Sequence, residues 1–347
     1  MRRLGRTIGA VDLHFHGAFG VDLMTADTAA HDELSAALWK RGLAGYCATT
    51  LSAGPEPLVK TVERLGRYIR SKDGKFPGAH PLGIHLEGPF LSPHAAGAHP
   101  TEIIRPLTFT ELELLWEKSR ETLKILTIAP ETLTQDDLKK LARWAKPRGV
   151  ILSLGHSKAT EEQSAHAFDE GFSGVTHAWN AMSFHHRAAG PLGAALGRKD
   201  THVEVILDGI HVTPTVVRWV LKLHPNGTCF VSDCAPAAAT TSGWHAFGDL
   251  QTEFRDGACR LGNGSLAGGG VLLTEGYGRW LVEEAKLTGT ALPLLWKKTS
   301  RYLTQEPLLA LGLSAAQIRN LAKTRSVEWR FSPSEGVQAL PRVETRA

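Results

Sequence analysis

Short apolar runs, most of them bounded by Gly, Pro or Asp, recur along the whole chain. They predict strands at Ala10–His14, Tyr46–Leu51, Leu82–Leu86, Leu123–Ile128, Val150–Leu154, Gly174–Thr176, Val203–Leu207 and Thr228–Ser232. Several gaps between them carry apolar residues at helical spacing. His31–Arg41 places Leu34, Ala37 and Leu38 on one face, and Asp137–Ala145 does so with Leu138, Leu141 and Trp144. Thr160-Glu161-Glu162-Gln163 opens a helix over Thr160–Asp169 with a near capping box. Pro214–Leu223 has Thr213 as its cap and Pro214 in the first helical position.

Eight strands alternating with helices predict an α/β fold of the (β/α)8 TIM type. An open doubly wound sheet is the rival. Gly17 and Gly20 lack the spacing of a dinucleotide fingerprint after the first strand, which weighs against it. The barrel is expected over residues 10–304. Its Gly-, Ala- and Thr-rich stretch 236–270 reads as a long excursion, with hairpin character, after the eighth strand. Residues 305–347 read as a C-terminal helix, patterned by Leu308, Leu309, Leu311, Leu313 and Ile318, and a loosely ordered tail from Phe331.

At 347 residues, 42% hydrophobic and 21% charged, the composition is globular and excludes a disordered or collagen-like chain. The net charge of +4 comes without a basic run, so nucleic acid is not an expected partner. No apolar window reaches the ~18 residues of a membrane span, and the N-terminal apolar stretch is broken at Asp12. Cys47, Cys229, Cys234 and Cys259 form no Cys-x-x-Cys pair, which suits a reduced, cytoplasmic protein.

The 16 histidines change the picture through their positions. His14 and His16 close the first predicted strand, two residues apart and therefore on one face. Glu87 closes the third, His156 the fifth, His177 the sixth and Asp233 the eighth, while His211 follows the seventh. Taken singly, each is an ordinary cap or turn residue. In a barrel, all these strand ends converge on one face. Imidazoles with a carboxylate bind a divalent metal ion and leave a position open for water, whose pKa falls toward ~7. Asp233 is the candidate proton shuttle. His31, His80, His94, His166, His224 and His245 are read as structural or surface residues.

Val11-Asp12-Leu13-His14-Phe15-His16-Gly17, His85-Leu86-Glu87-Gly88-Pro89-Phe90, Gly155-His156-Ser157, Thr176-His177-Ala178-Trp179-Asn180-Ala181-Met182, Asp208-Gly209-Ile210-His211 and Ser232-Asp233 occur in this order. Together they resemble the N-acetylglucosamine-6-phosphate deacetylase family of metal-dependent amidohydrolases, over roughly residues 10–285. The resemblance implies Glu87, His156 and His177 as principal metal ligands and Asp233 as acid/base. It implies one or two divalent ions, with His14 and His16 allowing the second. Zn²⁺ leads, and Fe²⁺, Mn²⁺ or Co²⁺ suit the same donors. His99 corresponds to a histidine that contacts the substrate carbonyl. Ala98, Asn180, Ala181, Arg187, His211, Leu266, Ala267 and Gly268 correspond to substrate-binding positions.

The chain departs from the family pattern in three places. The family's flanking β-sandwich reads as reduced or absent. The phosphate-binding arginine sits in His185-His186-Arg187-Ala188-Ala189-Gly190, not before Glu-Pro-Gly, and Gly268-Gly269-Gly270 lacks a hydroxyl. The expected reaction is hydrolysis of N-acetylglucosamine 6-phosphate to glucosamine 6-phosphate and acetate, with a homodimer allowed. The alternatives are an amidohydrolase for an unphosphorylated or different N-acyl sugar or amide, and a non-catalytic sugar-phosphate-binding barrel.

Overall fold

The computed structural model describes residues 1–72 and 76–341. The eight apolar runs become eight parallel strands because each is covered on both faces. They are Ala10–Phe15, Leu43–Thr49, His80–Glu87, Leu123–Ile128, Ile151–Leu154, Gly174–Val175, His202–Ile206 and Thr228–Val231, paired in chain order. Ala10–Phe15 and Leu43–Thr49 are buried at every residue, as a strand between a barrel interior and a helical shell must be. The first and last strands meet through buried polar bonds. Asp12 accepts the backbone N–H and the hydroxyl of Ser232 at 3.2 and 2.6 Å. Asp233 N–H donates to His14 O at 3.0 Å and His16 N–H to Cys234 O at 2.9 Å.

Alternation along the strands divides the core in two. Tyr46, Ile84, Leu86, Leu126, Ile128, Val203, Val205 and Phe230 face the helical shell. Val11, Leu13, Cys47, Ile125, Ile206, Cys229 and Val231 form the apolar interior, joined by Leu308 and Ile318 from the C-terminal helices. The four cysteines are free and buried.

Most of the expected helices form. The one expected at His31–Arg41 runs Thr28–Lys40, and the one expected at Asp137–Ala145 runs Gln135–Arg148. Thr160 caps Glu161–Glu170 in a full capping box with Gln163. Thr213 precedes Pro214–Leu223 as expected, but its side chain makes no cap hydrogen bond. Long helices at Pro55–Ser71 and Leu273–Thr288 complete the ring. No helix among the described residues is long and apolar enough to cross a membrane.

Both chain ends correct the sequence reading. Arg2–Ile8 is a strand, and Ser326–Ser332 with Gly336–Pro341 is a hairpin paired to it in a three-stranded antiparallel sheet. The flanking sheet is therefore reduced, not absent. The tail expected from Phe331 is ordered through Pro341, because Val327 and Trp329, and then Val337 and Ala339, alternate into the core. Residues 342–347 lie outside the described residues. The single helix expected in 305–347 is two, Glu306–Ala310 and Ala315–Thr324. The excursion 236–270 is a four-stranded antiparallel sheet, Gly243–Phe247, Leu250–Arg255, Ala258–Arg260 and Leu266–Gly269.

His31, read as structural, is buried against the Tyr68 ring at 4.5 Å, and neither ring nitrogen has a partner among the described residues. Burial, helped by the Arg64 charge, pulls its pKa down to about 4. An unfolded histidine titrates near ~6.5, so as pH falls the unfolded chain takes up the proton first. This contribution to stability is complete above about pH 6.5 and is lost as pH falls through about 4, on the order of 3 kcal/mol in total. His31→Phe is expected to flatten the fall of the unfolding temperature between pH 7 and 4. A profile unchanged from wild type would show that His31 carries none of it.

Candidate active site

The C-terminal strand ends bring the predicted donors together. Glu87, at the end of the third barrel strand, is 2% exposed and stands between two histidine pairs. Its Oε1 lies 3.1 Å from His156 Nε2 and 2.9 Å from His177 Nε2. Its Oε2 lies 3.3 Å from His14 Nε2 and 3.2 Å from His16 Nε2. Asp233 Oδ1 lies 3.3 Å from both His14 and His16. His156, His177 and Asp233 all have positive φ, at 47°, 28° and 52°. Non-glycine residues hold that conformation at a cost of ~1–3 kcal/mol each, and it turns these three side chains inward as their strands end. At Gly97 a side chain would press on His156, with a Cβ only 3.0 Å from His156 Cε1.

Hydrogen bonding fixes several of the rings. His156 Nδ1–H donates to Ala95 O at 2.9 Å, so its Nε2 lone pair faces the Glu87 carboxylate. His156 Nε2 also faces His177 Nε2 at 3.0 Å, and His14 Nε2 faces His16 Nε2 at 3.2 Å. Lone pairs and carboxylate oxygens packed this closely need positive charge among them. Neutral imidazoles with carboxylates, buried and convergent, are the donor set of a divalent-ion site. His14, Glu87 and His177 form one such group, and His14, His16 and Asp233 another.

Electrostatics follow from the same contacts. Burial disfavours charge on His14, but the Glu87 and Asp233 carboxylates outweigh it and raise its pKa well above the ordinary value. Burial alone would raise Asp233. The charge of His14 and the hydrogen bond from His16 overcome that and hold its carboxyl well below the usual range. Glu87 is likewise held low by its histidines against burial.

His99 is buried, and its Nδ1 accepts the Ser52 N–H at 3.2 Å, with the Ser52 hydroxyl at 2.7 Å. That leaves Nε2–H as the donor, directed toward Glu87 Oε2 at 3.6 Å. Burial lowers its pKa to about 4, so the ring is neutral.

The cavity over these groups holds about 160 Å³ and is walled by Gly97, Ala98, Asn180, Ala181, His211, Phe247 and Leu266–Gly268. This is below the ~300–1,000 Å³ of pockets that enclose a whole ligand, so it suits the reacting end of a substrate. The excursion sheet closes one side. Gly269 N–H donates to Asp233 O at 2.7 Å, and the Phe247 ring packs 5.1 Å from His16. His211 is held by Asp208, Nδ1 to Oδ2 at 2.6 Å. Arg187 stands apart. It is exposed on the loop after Asn180-Ala181 and does not line the cavity. A larger cavity of about 640 Å³, between Leu273–Thr288 and Gly336–Pro341, has none of these donors in its walls.

Sequence reasoning assigned no role to Glu204, His85, Ser52 or Asp208. Glu204 Oε2 sits 3.2 Å from His14 Nδ1, and His85 pairs with Leu13 O and Thr127 Oγ1. The available signal for Glu204 was a carboxylate flanked by Val203 and Val205 in a buried strand.

A sequence model described as Amidohydrolase family matches residues 7–286. An N-acetylglucosamine-6-phosphate deacetylase of Bacillus subtilis (strain 168) is 35% identical over 271 residues, 77% of this chain and 67% of that protein. An N-acetylgalactosamine-6-phosphate deacetylase of Escherichia coli O157:H7 is 34% identical over 259 residues, 74% of this chain and 67% of that one. The crystal structure of N-acetyl-D-glucosamine-6-phosphate deacetylase from Mycobacterium smegmatis superposes with a TM-score of 0.84 at 28% identity, covering 97% of this chain and 86% of that one.

Proposed function

The chain belongs to the amidohydrolase family, and from that premise we propose that it hydrolyses the acetamide bond of N-acetylglucosamine 6-phosphate, releasing acetate and glucosamine 6-phosphate. The convergence of His14, His16, Glu87, His156, His177 and Asp233 at one barrel mouth carries this reading. Similarity to deacetylases of two amino-sugar phosphates supports it.

Glu87, His156 and His177 would hold one divalent ion, and His14 and His16 with Glu87 and Asp233 a second. Zinc is taken as the leading ion, and Fe²⁺, Mn²⁺ or Co²⁺ suit the same donors. When bound, such an ion supplies Lewis acidity, which makes water a nucleophile near neutral pH and polarises a carbonyl. Asp233, ionised and at the rim of the cluster, takes a proton from the attacking water. It returns that proton to the nitrogen as the carbon–nitrogen bond breaks. His99 donates its Nε2–H to the carbonyl oxygen as charge gathers there, its tautomer set by Ser52. Ala98, Asn180-Ala181 and Leu266–Gly268 bound the acetamido end, and His211, oriented by Asp208, reaches the sugar. The small cavity leaves no room for the phosphate beside the acetamido end, and Arg187 is the residue we assign to it by its place in the sequence motif.

The test is turnover of N-acetylglucosamine 6-phosphate by protein loaded with Zn²⁺, beside N-acetylgalactosamine 6-phosphate and unphosphorylated N-acetylglucosamine. The phosphorylated glucosamine is expected to lead in kcat/KM. Arg187→Ala should lower that value ~10–100-fold, the worth of a charge-assisted pair, and leave the unphosphorylated sugar unchanged. Faster turnover of the galactosamine epimer would move the substrate to that sugar. Silence on all three with Zn²⁺ bound would overturn the reading in favour of another amide.

A further inference from the structure

Glu204 lies in the seventh barrel strand, His202–Ile206, and is 0% exposed. Val203 and Val205 face the helical shell, so Glu204 and Ile206 face the barrel interior. A buried carboxylate is costly, and an aliphatic residue would fill the layer without that cost. What the carboxylate does there is visible in its contacts. Its Oε2 lies 3.2 Å from His14 Nδ1 and accepts the His177 backbone N–H at 3.3 Å. One oxygen thus touches histidines from both halves of the cluster. Its Oε1 has no hydrogen-bond partner among the described residues.

Glu204 also lies close to His14 and His85, a geometry that by itself resembles a third ion site. The bonds of His85 argue against that. Its Nδ1–H donates to Leu13 O at 2.9 Å, and its Nε2 pairs with Thr127 Oγ1 at 2.7 Å. Both ring nitrogens are committed, so the group lacks a free imidazole donor. The Glu204 contact instead sets the His14 tautomer. With Nδ1–H donating to the carboxylate, Nε2 is the nitrogen available to a cation, and it is this atom that faces His16, Glu87 and Asp233.

We propose that Glu204 is a positioning residue: it holds His14 with its Nε2 lone pair on the second cation position and anchors the turn at His177, without itself being a ligand. The inference rests on the metal reading above and adds that affinity for the second ion depends on a carboxylate one layer beneath it. Carboxylates behind ligating histidines orient the ring and raise its basicity.

The experiment titrates metal-free protein with Zn²⁺ against a chromophoric chelator, for wild type, Glu204→Gln, Glu204→Leu, His14→Asn and the Glu204→Gln/His14→Asn double variant. Thermal unfolding checks each fold. Wild type is expected to take two ions. Glu204→Gln, whose oxygen can still accept but carries no charge, should weaken the second ion ~10-fold, and Glu204→Leu up to ~100-fold. The first ion should stay within about threefold of wild type in Glu204→Gln, whose oxygen can still accept the His177 N–H. In the His14→Asn background, Glu204→Gln should change nothing further. Wild-type affinity for the second ion in both variants, or equal loss of both ions in Glu204→Gln, overturns the proposal. So does a wild type that takes one ion whose affinity neither variant moves. If Glu204→Leu does not fold, Glu204→Gln decides on the same criteria. A wild type that binds no divalent ion overturns the metal reading itself, a separate result.

Discussion

Asp233→Asn is expected to cut kcat ~10²–10⁴-fold, the usual worth of a positioned acid/base, with KM and the ion held by Glu87, His156 and His177 close to wild type. The substitution is chosen for what it preserves. Asp233 has φ 52°, a conformation asparagine accepts more readily than most residues, whereas alanine would add strain. The backbone bonds from Asp233 N–H to His14 O and from Gly269 N–H to Asp233 O do not depend on the side chain. The Glu87, His156 and His177 group does not include Asp233, so an ion held there should remain. The variant loses only the ionised oxygen that the histidines keep deprotonated against the effect of burial. The checks are steady-state kinetics on N-acetylglucosamine 6-phosphate, metal content and thermal unfolding. Near wild-type kcat in a folded, ion-loaded variant would remove Asp233 from the proton transfers.

Much of this site was legible before the structure because two kinds of signal agreed. Apolar runs placed the barrel strands, and the polar residues ending those runs fell at one mouth by the geometry of the fold. What escaped lies where the pattern is weak or double. Arg2–Ile8 contains three arginines and is half exposed, and it becomes a strand only because Ser326–Ser332 pairs with it and Trp329 packs beneath. The hairpin that follows did alternate, at Val327, Trp329 and Phe331, but its partner is more than 300 residues away. Glu204 escaped for a different reason. Periodicity shows that a charge sits in a buried strand, but not which histidine it meets across the barrel. Arg187 is the reverse case, since a motif match predicted its chemistry while the cavity wall does not include it. Ser52 had no motif at all, and its importance comes from a backbone N–H that sets which nitrogen of His99 carries the proton.

Glu87→Gln should have the broadest effect of any single change, because one carboxylate serves both halves of the cluster. Oε1 answers His156 and His177, and Oε2 answers His14, His16 and His99. Glutamine has nearly the same shape, so packing is kept while the negative charge is lost. Two consequences follow. Glu87 is one of the charges that keep His14 and His16 raised, so both rings become easier to deprotonate and the cluster loses its attraction for cations. Each proposed ion also loses a direct ligand, which costs more than the ~10–100-fold of a partner one layer out. We expect kcat/KM to fall at least ~10³-fold, about 4 kcal/mol of transition-state stabilisation. The fold can be read separately from this loss. An ion that binds only the folded wild type at 100 times its Kd adds about 2.7 kcal/mol of stability, and so raises the unfolding temperature. Glu87→Gln should unfold near the temperature of metal-free wild type and shift little when Zn²⁺ is added. A variant that kept the wild-type ion complement and the wild-type Zn²⁺ shift would show that the histidines hold the ions without Glu87, and the bridging role assigned to it would be lost.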